Sequence, residues 1–144
     1  MITLIFDGVP QAVQSMRVAN RGKFIIKYQP KKQIDWKESL RVQARMQLPE
    51  DFKMICDAPV IIHQLDFIFP IVSTLSSKLV KRINNGEMVY KISRPDVSDN
   101  LNKGILDALT GIVWKDDALI VDCHPRKYYG LEPKTILVFE QITQ

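Results

Sequence analysis

Six aspartates fall between Asp96 and Asp122, against only Lys103 and Lys115. Carboxylate oxygens are the ligands that hard divalent ions such as Mg²⁺ prefer. Two-ion phosphodiester hydrolysis needs acids from separate chain segments to hold those ions about 4 Å apart. The stretch just before reverses the charge balance: Lys78, Lys81, Arg82, Lys91 and Arg94 face a single acid, Glu87. Basic groups suited to a phosphate backbone thus lead into acids suited to metal, the two halves a nuclease site needs. The net charge of +4 leans the same way, although many proteins with such a charge never meet nucleic acid.

Ser93 to Gly111 reads as a loop entering a helix. Pro95 disfavours helix at Arg94, Ser98 or Asp99 is placed to cap the first turn, and Gly111 is placed to end it. At about 100° per residue, Leu101, Ile105, Ala108 and Ile112 gather on one side, with Asp99, Asn100, Lys103 and Asp107 on another. Opposite charges four residues apart also decorate ordinary solvated helices, so Asp99, Lys103 and Asp107 alone do not mark a site. The segment Trp114-Lys115-Asp116-Asp117-Ala118-Leu119-Ile120-Val121-Asp122 adds a second acid pair at the mouth of an apolar strand. A helix start and a strand mouth can converge.

Taken in order, Pro95-Asp96, Asp99-Asn100-Leu101, Lys103, Asp107-Ala108-Leu109 and Asp116-Asp117 resemble the signature of RusA-type Holliday junction resolvases. The matching residues cover about a sixth of the chain. The resemblance implies that Asp99 and Asp117 are metal ligands essential for cleavage, Asp96 the third acid, Asp116 a lesser one, and Lys103 a catalytic lysine near the scissile phosphate. Asn100 and Asp107 would orient the ligands or cap the helix. It further implies Mg²⁺ with Mn²⁺ as the alternative, a four-way junction or other branched DNA as substrate, paired symmetric nicks in recombination and repair, and a homodimer. A bacterial or phage origin would suit it.

One departure stands out. Val97 and Ser98 both separate Asp96 from Asp99, where the family pattern has a single residue. In an extended strand this spacing opposes the two acids unless the backbone bulges or has already begun to turn. Two other readings compete. A non-catalytic protein that binds branched DNA would also carry acidic clusters. Asp96 with Glu132-Pro133-Lys134 mimics another nuclease pattern, but Pro133 lacks the N–H a central strand position uses.

The rest of the chain must supply the scaffold. Ile2 to Phe6, Lys23 to Tyr28, Pro59 to Phe69 and Thr135 to Ile142 read as strands, and Val9 to Gly22 as a loop or hairpin connection. After Pro30, Trp36, Leu40, Ala44 and Leu48 form an apolar helical stripe ended by Pro49. Beside it run Lys37, Arg41 and Arg45, either a solvated face or a phosphate-contacting one. Between Ile71 and Ser93 the pattern weakens to a short basic stretch with helical character and an Asn84-Asn85-Gly86 turn. His63 reads as a core or edge histidine.

These elements predict an α/β (α+β) fold: a single domain over 1–144, a mixed or largely antiparallel sheet and two main helices packed on it. Cys56 and Cys123 are too few for a disulfide framework, and with the two histidines they lack zinc-site spacing. No apolar run approaches the roughly 20 residues of a membrane span, and the N-terminus lacks a signal-peptide pattern. A cytoplasmic protein is the expectation.

Overall fold

The computed structural model describes residues 1–13, 17–22, 24–28 and 31–143. Its central sheet takes strands in the order β1 (Ile2–Asp7), β6 (Lys134–Gln141), β4 (Val60–Phe69), β5 (Ile120–Tyr129). β6 pairs antiparallel with both β1 and β4, while β4 and β5 run parallel. The sheet is therefore mixed, as the sequence predicts. A separate antiparallel hairpin joins β2 (Arg17–Arg21) to β3 (Phe24–Tyr28). The loop-or-hairpin segment thus contains a strand, whereas Lys23, at the start of the expected second strand, and Pro30 lie outside the described residues.

Period-two alternation sorts the sheet into two faces. Leu4 and Phe6 of β1, Leu137 and Phe139 of β6, and Leu65 and Phe67 of β4 are buried on one of them. Helix α1 (Lys31–Gln47) packs its stripe of Trp36, Leu40 and Ala44 into the same core. Burying such side chains stabilises by roughly 1.5–3 kcal/mol each for the larger apolar ones. Helix α3 (Asn102–Leu109) packs against α1 and contributes Ile105, Ala108 and Leu109. Ile112 is only half-buried, because the helix stops at Leu109 and Gly111 turns the chain with φ of 91°.

A third helix, α2 (Ser77–Asn84), occupies the basic stretch. Ser76 caps it by accepting the Leu79 N–H at 3.3 Å, and the Asn85-Gly86 turn ends it. No described helix is long and apolar enough to cross a membrane.

The two sheet edges differ. At β1 the Ile5 N–H donates to Gln47 Oε1 and the Asp7 N–H to Gln43 Oε1, each at 2.8 Å, and Gln47 Nε2 donates back to the Ile5 carbonyl at 2.8 Å. Two side chains of α1 thus stand in for a neighbouring strand. At β5 the far end is covered instead by the 89–91 segment, through Lys91 N–H to the Lys127 carbonyl and Tyr129 N–H to the Val89 carbonyl. Pro125 is tolerated because β5 lies at the edge.

Candidate active site on alpha3 and beta5

The acids of the motif are placed by two short irregular turns. Val97–Leu101 forms a π-helical turn in which the Leu101 N–H reaches the Asp96 carbonyl at 3.2 Å. This is where the additional residue goes. A π turn takes one more residue per hydrogen-bonded ring than an α-turn, so the backbone has already turned at Asp99 and the strand argument opposing Asp96 and Asp99 does not apply. The cap is neither Ser98 nor Asp99, as the sequence suggests, but Asp96. Its Oδ1 accepts the Asn100 N–H at 2.9 Å and the Asp99 N–H at 3.3 Å. Asn100 Nδ2 lies 3.5 Å from the other oxygen, Oδ2.

The second turn, Asp117–Leu119, is a 3₁₀ helix leading straight into β5. Asp116 caps it, accepting the Ala118 N–H at 3.0 Å. Trp114 anchors the approach: it is fully buried, edge-on to Phe139 at 6.0 Å, with its carbonyl accepting the Gly111 N–H at 2.8 Å. Next to it the Lys115 N–H donates to the Ile55 carbonyl at 2.8 Å. A buried indole and two main-chain bonds thus anchor the backbone just before the exposed acid pair.

The π turn packs against β5. Asn102 lies over Cys123 there, with Oδ1 and Sγ 4.0 Å apart. Burial, then the charge of Asp122, pushes the Cys123 thiol up to about 11, so it stays protonated at neutral pH.

Electrostatically the clearest group is Asp117. Its carboxyl is raised above the ordinary range by desolvation, then by the neighbouring Asp116 carboxyl and the charge of Asp107. Asp107 therefore belongs with the acid pair. Its helical position one turn beyond Lys103 is the signal for this in the sequence, but i,i+4 decoration explains that position equally well. Among the described residues Lys103 forms no ion pair with Asp99 or Asp107, so the solvated salt-bridge ladder is not formed. Asp99, Lys103, Asp116 and Asp117 are all exposed. No three described His, Cys, Asp or Glu side chains gather closely enough to hold an ion.

Asp96 and Asn100 line a cleft of about 1120 Å³ together with Arg94, Lys32, Gln33 and Gln11. Two cations thus share its wall with the first acid of the motif. Of the basic stripe on α1, Arg41 is committed to structure: Nε donates to the Ala108 carbonyl at the end of α3 at 2.9 Å, and Nη1 pairs with Glu38 at 3.1 Å. His63 is neither core nor edge: it stands exposed on the central strand β4, bonded to Glu140 at 2.7 Å.

Behind the cleft, Lys127 of β5 is half-buried and donates to the carbonyls of Ser93 and Pro95, each at 2.6 Å. Burial holds its pKa below the usual lysine range, helped by the charge of Lys91 and opposed by that of Asp96. No motif in the sequence marks this lysine.

A four-stranded mixed sheet with two acid-bearing turns on one helix and one edge strand is a scaffold for acid-dependent chemistry at the rim of a basic cleft. The family model for endodeoxyribonuclease RusA matches residues 7–139. The chain belongs to the RusA endodeoxyribonuclease family. It is also 32% identical over 71 residues to a protein of Bacillus subtilis (strain 168), "Uncharacterized protein YqaN", a match covering 49% of each chain. The alignment thus spans about half the length of that curated relative.

Proposed function

We propose that this chain is a metal-dependent, structure-selective DNA endonuclease that resolves four-way junctions by paired nicks during recombination and repair. The observation that carries the reading is the match of the endodeoxyribonuclease RusA family model to residues 7–139, with the Asp116-Asp117 pair standing on the turn at the head of β5. Carboxylates crowded without a cation repel one another, and a divalent ion relieves that repulsion. The donors are all oxygen, which suits Mg²⁺, with Mn²⁺ as the alternative.

On this reading Asp99 and Asp117 are the essential ligands, with Asp96 and Asp116 as the additional acids. The backbone caps use Asp96 Oδ1, and Oδ2 meets only the Asn100 side-chain amide at 3.5 Å. Bound ions would supply an activated water and neutralise charge at the scissile phosphate. Lys103, exposed on the first turn of α3, places an ammonium where it opposes the charge that grows on the phosphate. Lys32 and Arg94 hold the backbone of branched DNA in the cleft.

A four-way junction is close to two-fold symmetric, so paired nicks are most simply made by a C2 homodimer with one site per protomer. The domain spans 1–144 and works in the cytoplasm, where branched DNA arises. A second reading, a protein that binds branched DNA without cutting it, is favoured by the capping duty of Asp96 and Asp116.

The deciding experiment incubates a labelled synthetic four-way junction and a matched linear duplex with Mg²⁺ and wild type or Asp117→Asn, at equal DNA occupancy. Paired nicks on the junction that vanish in the variant while binding persists are expected. Binding by wild type without cleavage over a range of metals and junction sequences would establish the second reading instead.

A further inference from the structure

Among the described residues, three buried side-chain atoms have no hydrogen-bond partner: Trp114 Nε1, Thr135 Oγ1 and Gln33 Oε1. Trp114 and Thr135 are 0% exposed and sealed in the interior. Gln33 differs, because it lines the cleft of about 1120 Å³ while remaining only 8% exposed. A covered amide oxygen without a donor has given up the hydrogen bond it would keep in water. The terminal torsion of glutamine is broad and roughly two-fold, so a half-turn brings that oxygen round toward whatever occupies the cleft.

Gln33 stands in the first turn of α1, beside Lys31 and Lys32 and with no acid in that turn. Backbone N–H groups of a first turn have no partner within their helix, and that end carries partial positive charge. Lys32 and Arg94 share the cleft lining, and neither forms an ion pair among the described residues. Against them stands one carboxylate, Asp96, whose Oδ1 is turned to the N–H groups of Asp99 and Asn100. This end of the cleft suits a phosphate. The remaining lining suits a base, since Gln11 and Asn100 add side-chain amides while Pro10 and Pro95 offer apolar faces to a ring.

The space exceeds the roughly 300–1,000 Å³ of small-molecule sites, which points to part of a polymer rather than one enclosed small molecule. A glutamine so covered cannot reach base edges inside a duplex groove, so the base must leave its stack to meet it. Branch points, where the helices are interrupted, supply such bases.

We propose that the α1 end of the cleft is a subsite for one unpaired nucleotide of the DNA strand: Lys32, Arg94 and the first turn of α1 take its phosphate, and the Gln33 amide pairs with the edge of its base. Gln33 is then a specificity-determining residue. The inference rests on the reading of the cleft as a surface for branched DNA and requires nothing of the metal.

The test measures binding by fluorescence anisotropy in EDTA at low salt, using a labelled four-way junction and short single strands of adenine, cytosine or thymine nucleotides. Wild type, Gln33→Met and Lys32→Ala are compared, and urea melts of wild type and Gln33→Met are run beside them. Wild type is expected to separate its tightest from its weakest strand by roughly 5- to 150-fold, the range one paired amide gives, and Gln33→Met to bind all three alike. Lys32→Ala should weaken every strand by a similar factor and lower the salt slope by about one. Gln33→Met should be at least as stable as wild type, because it removes an unbonded buried acceptor at nearly constant volume. A Gln33→Met protein that is less stable or does not fold would show that the amide already has a partner, and would overturn the inference. So would a wild type that binds the junction but treats the three strands alike, or a wild-type ratio retained in Gln33→Met. Wild type binding neither junction nor strands would overturn both this inference and the DNA reading beneath it.

Discussion

Asp96 Oδ1 accepts the backbone N–H of Asn100 at 2.9 Å, so the first acid of the motif is also the N-cap of the turn that presents the second. Capping and metal binding ask different things of the side chain. A cap needs one oxygen acceptor, which asparagine also supplies, whereas a hard cation favours the charged carboxylate. Asp96→Asn is therefore expected to unfold in denaturant within a few tenths of a kcal/mol of wild type while losing Mg²⁺-dependent cleavage. Asp96→Ala should lose about 1 kcal/mol of stability in addition. Equal destabilisation by both substitutions would mean that the charge, rather than the cap, holds the turn.

The raised Asp117 carboxyl predicts a pH-dependent stability with a definite sign. An acid whose folded pKa exceeds its unfolded value opposes folding once ionised: the penalty is present above the folded pKa and disappears as pH falls below the unfolded value of about 3.8. Asp117→Asn should thus melt at a higher temperature than wild type at pH 7 in EDTA. The gap should close by about pH 3. Mg²⁺ should raise the melting temperature of wild type and leave that of the variant little changed. Thermal scans in the two buffers check both signs. An unchanged melting temperature in EDTA would place Asp117 outside the acidic cluster.

Gly104 sits where α3 meets the chain before the hairpin. A Cβ there would fall 2.7 Å from Val13 Cγ2, and Val13 donates its N–H to the Asn100 carbonyl at 3.2 Å. In an open helix, replacing glycine by alanine stabilises by roughly 0.5–1 kcal/mol. Here the added methyl meets a β-branched side chain fixed by its backbone, so Gly104→Ala is expected to destabilise by about 1–3 kcal/mol. It should also reduce cleavage, because the strain falls one turn from Asn100. Denaturant melts decide this, and a gain in stability would show that Val13 yields freely.

How far such features are legible in the sequence depends on whether they are periodic or contextual. The stripe of Trp36, Leu40 and Ala44 and the strands at Val60–Phe69 and Lys134–Gln141 follow from apolar spacing and emerge nearly in place. The acids Asp96, Asp99, Asp116 and Asp117 stand out because like charges accumulate at a turn only where something offsets the repulsion. What stays hidden is non-local. Lys127 lies in a strand with no motif and acquires its role from carbonyls more than 30 positions earlier. Asp107 is masked by ordinary i,i+4 decoration. The π turn that absorbs the additional residue before Asp99 is set by packing against β5, which no local propensity encodes. Arg41 reads as a surface base but is spent on the Ala108 carbonyl, a bond between two helices distant in sequence.

Asp66 offers a stability test far from the motif. It is 1% exposed at the middle of β4, and its oxygens accept from Arg126 Nε and Nη2, Gln64 Nε2 and the Tyr128 hydroxyl. Burial works against its charge, but the Arg126, Gln64 and Tyr128 bonds outweigh burial and hold the carboxyl below its ordinary range. Tyr128 is in turn pushed up to about 12 by burial and by that carboxylate. A depressed acid contributes stability above its unfolded value of 3.8 and loses that contribution as pH falls through its folded pKa. Removing the partner should cost more than removing the pair. Arg126→Met leaves a buried carboxylate with only neutral donors and is expected to destabilise by about 3–5 kcal/mol at pH 7. Adding Asp66→Leu to Arg126→Met removes the stranded charge and should recover much of that loss, although Tyr128 then lacks its acceptor. Urea melts of the two variants at pH 7 and near pH 3, where the carboxylate is increasingly neutralised, measure the difference. Its persistence unchanged at the lower pH would assign the cost to lost packing of the arginine stem rather than to the charge.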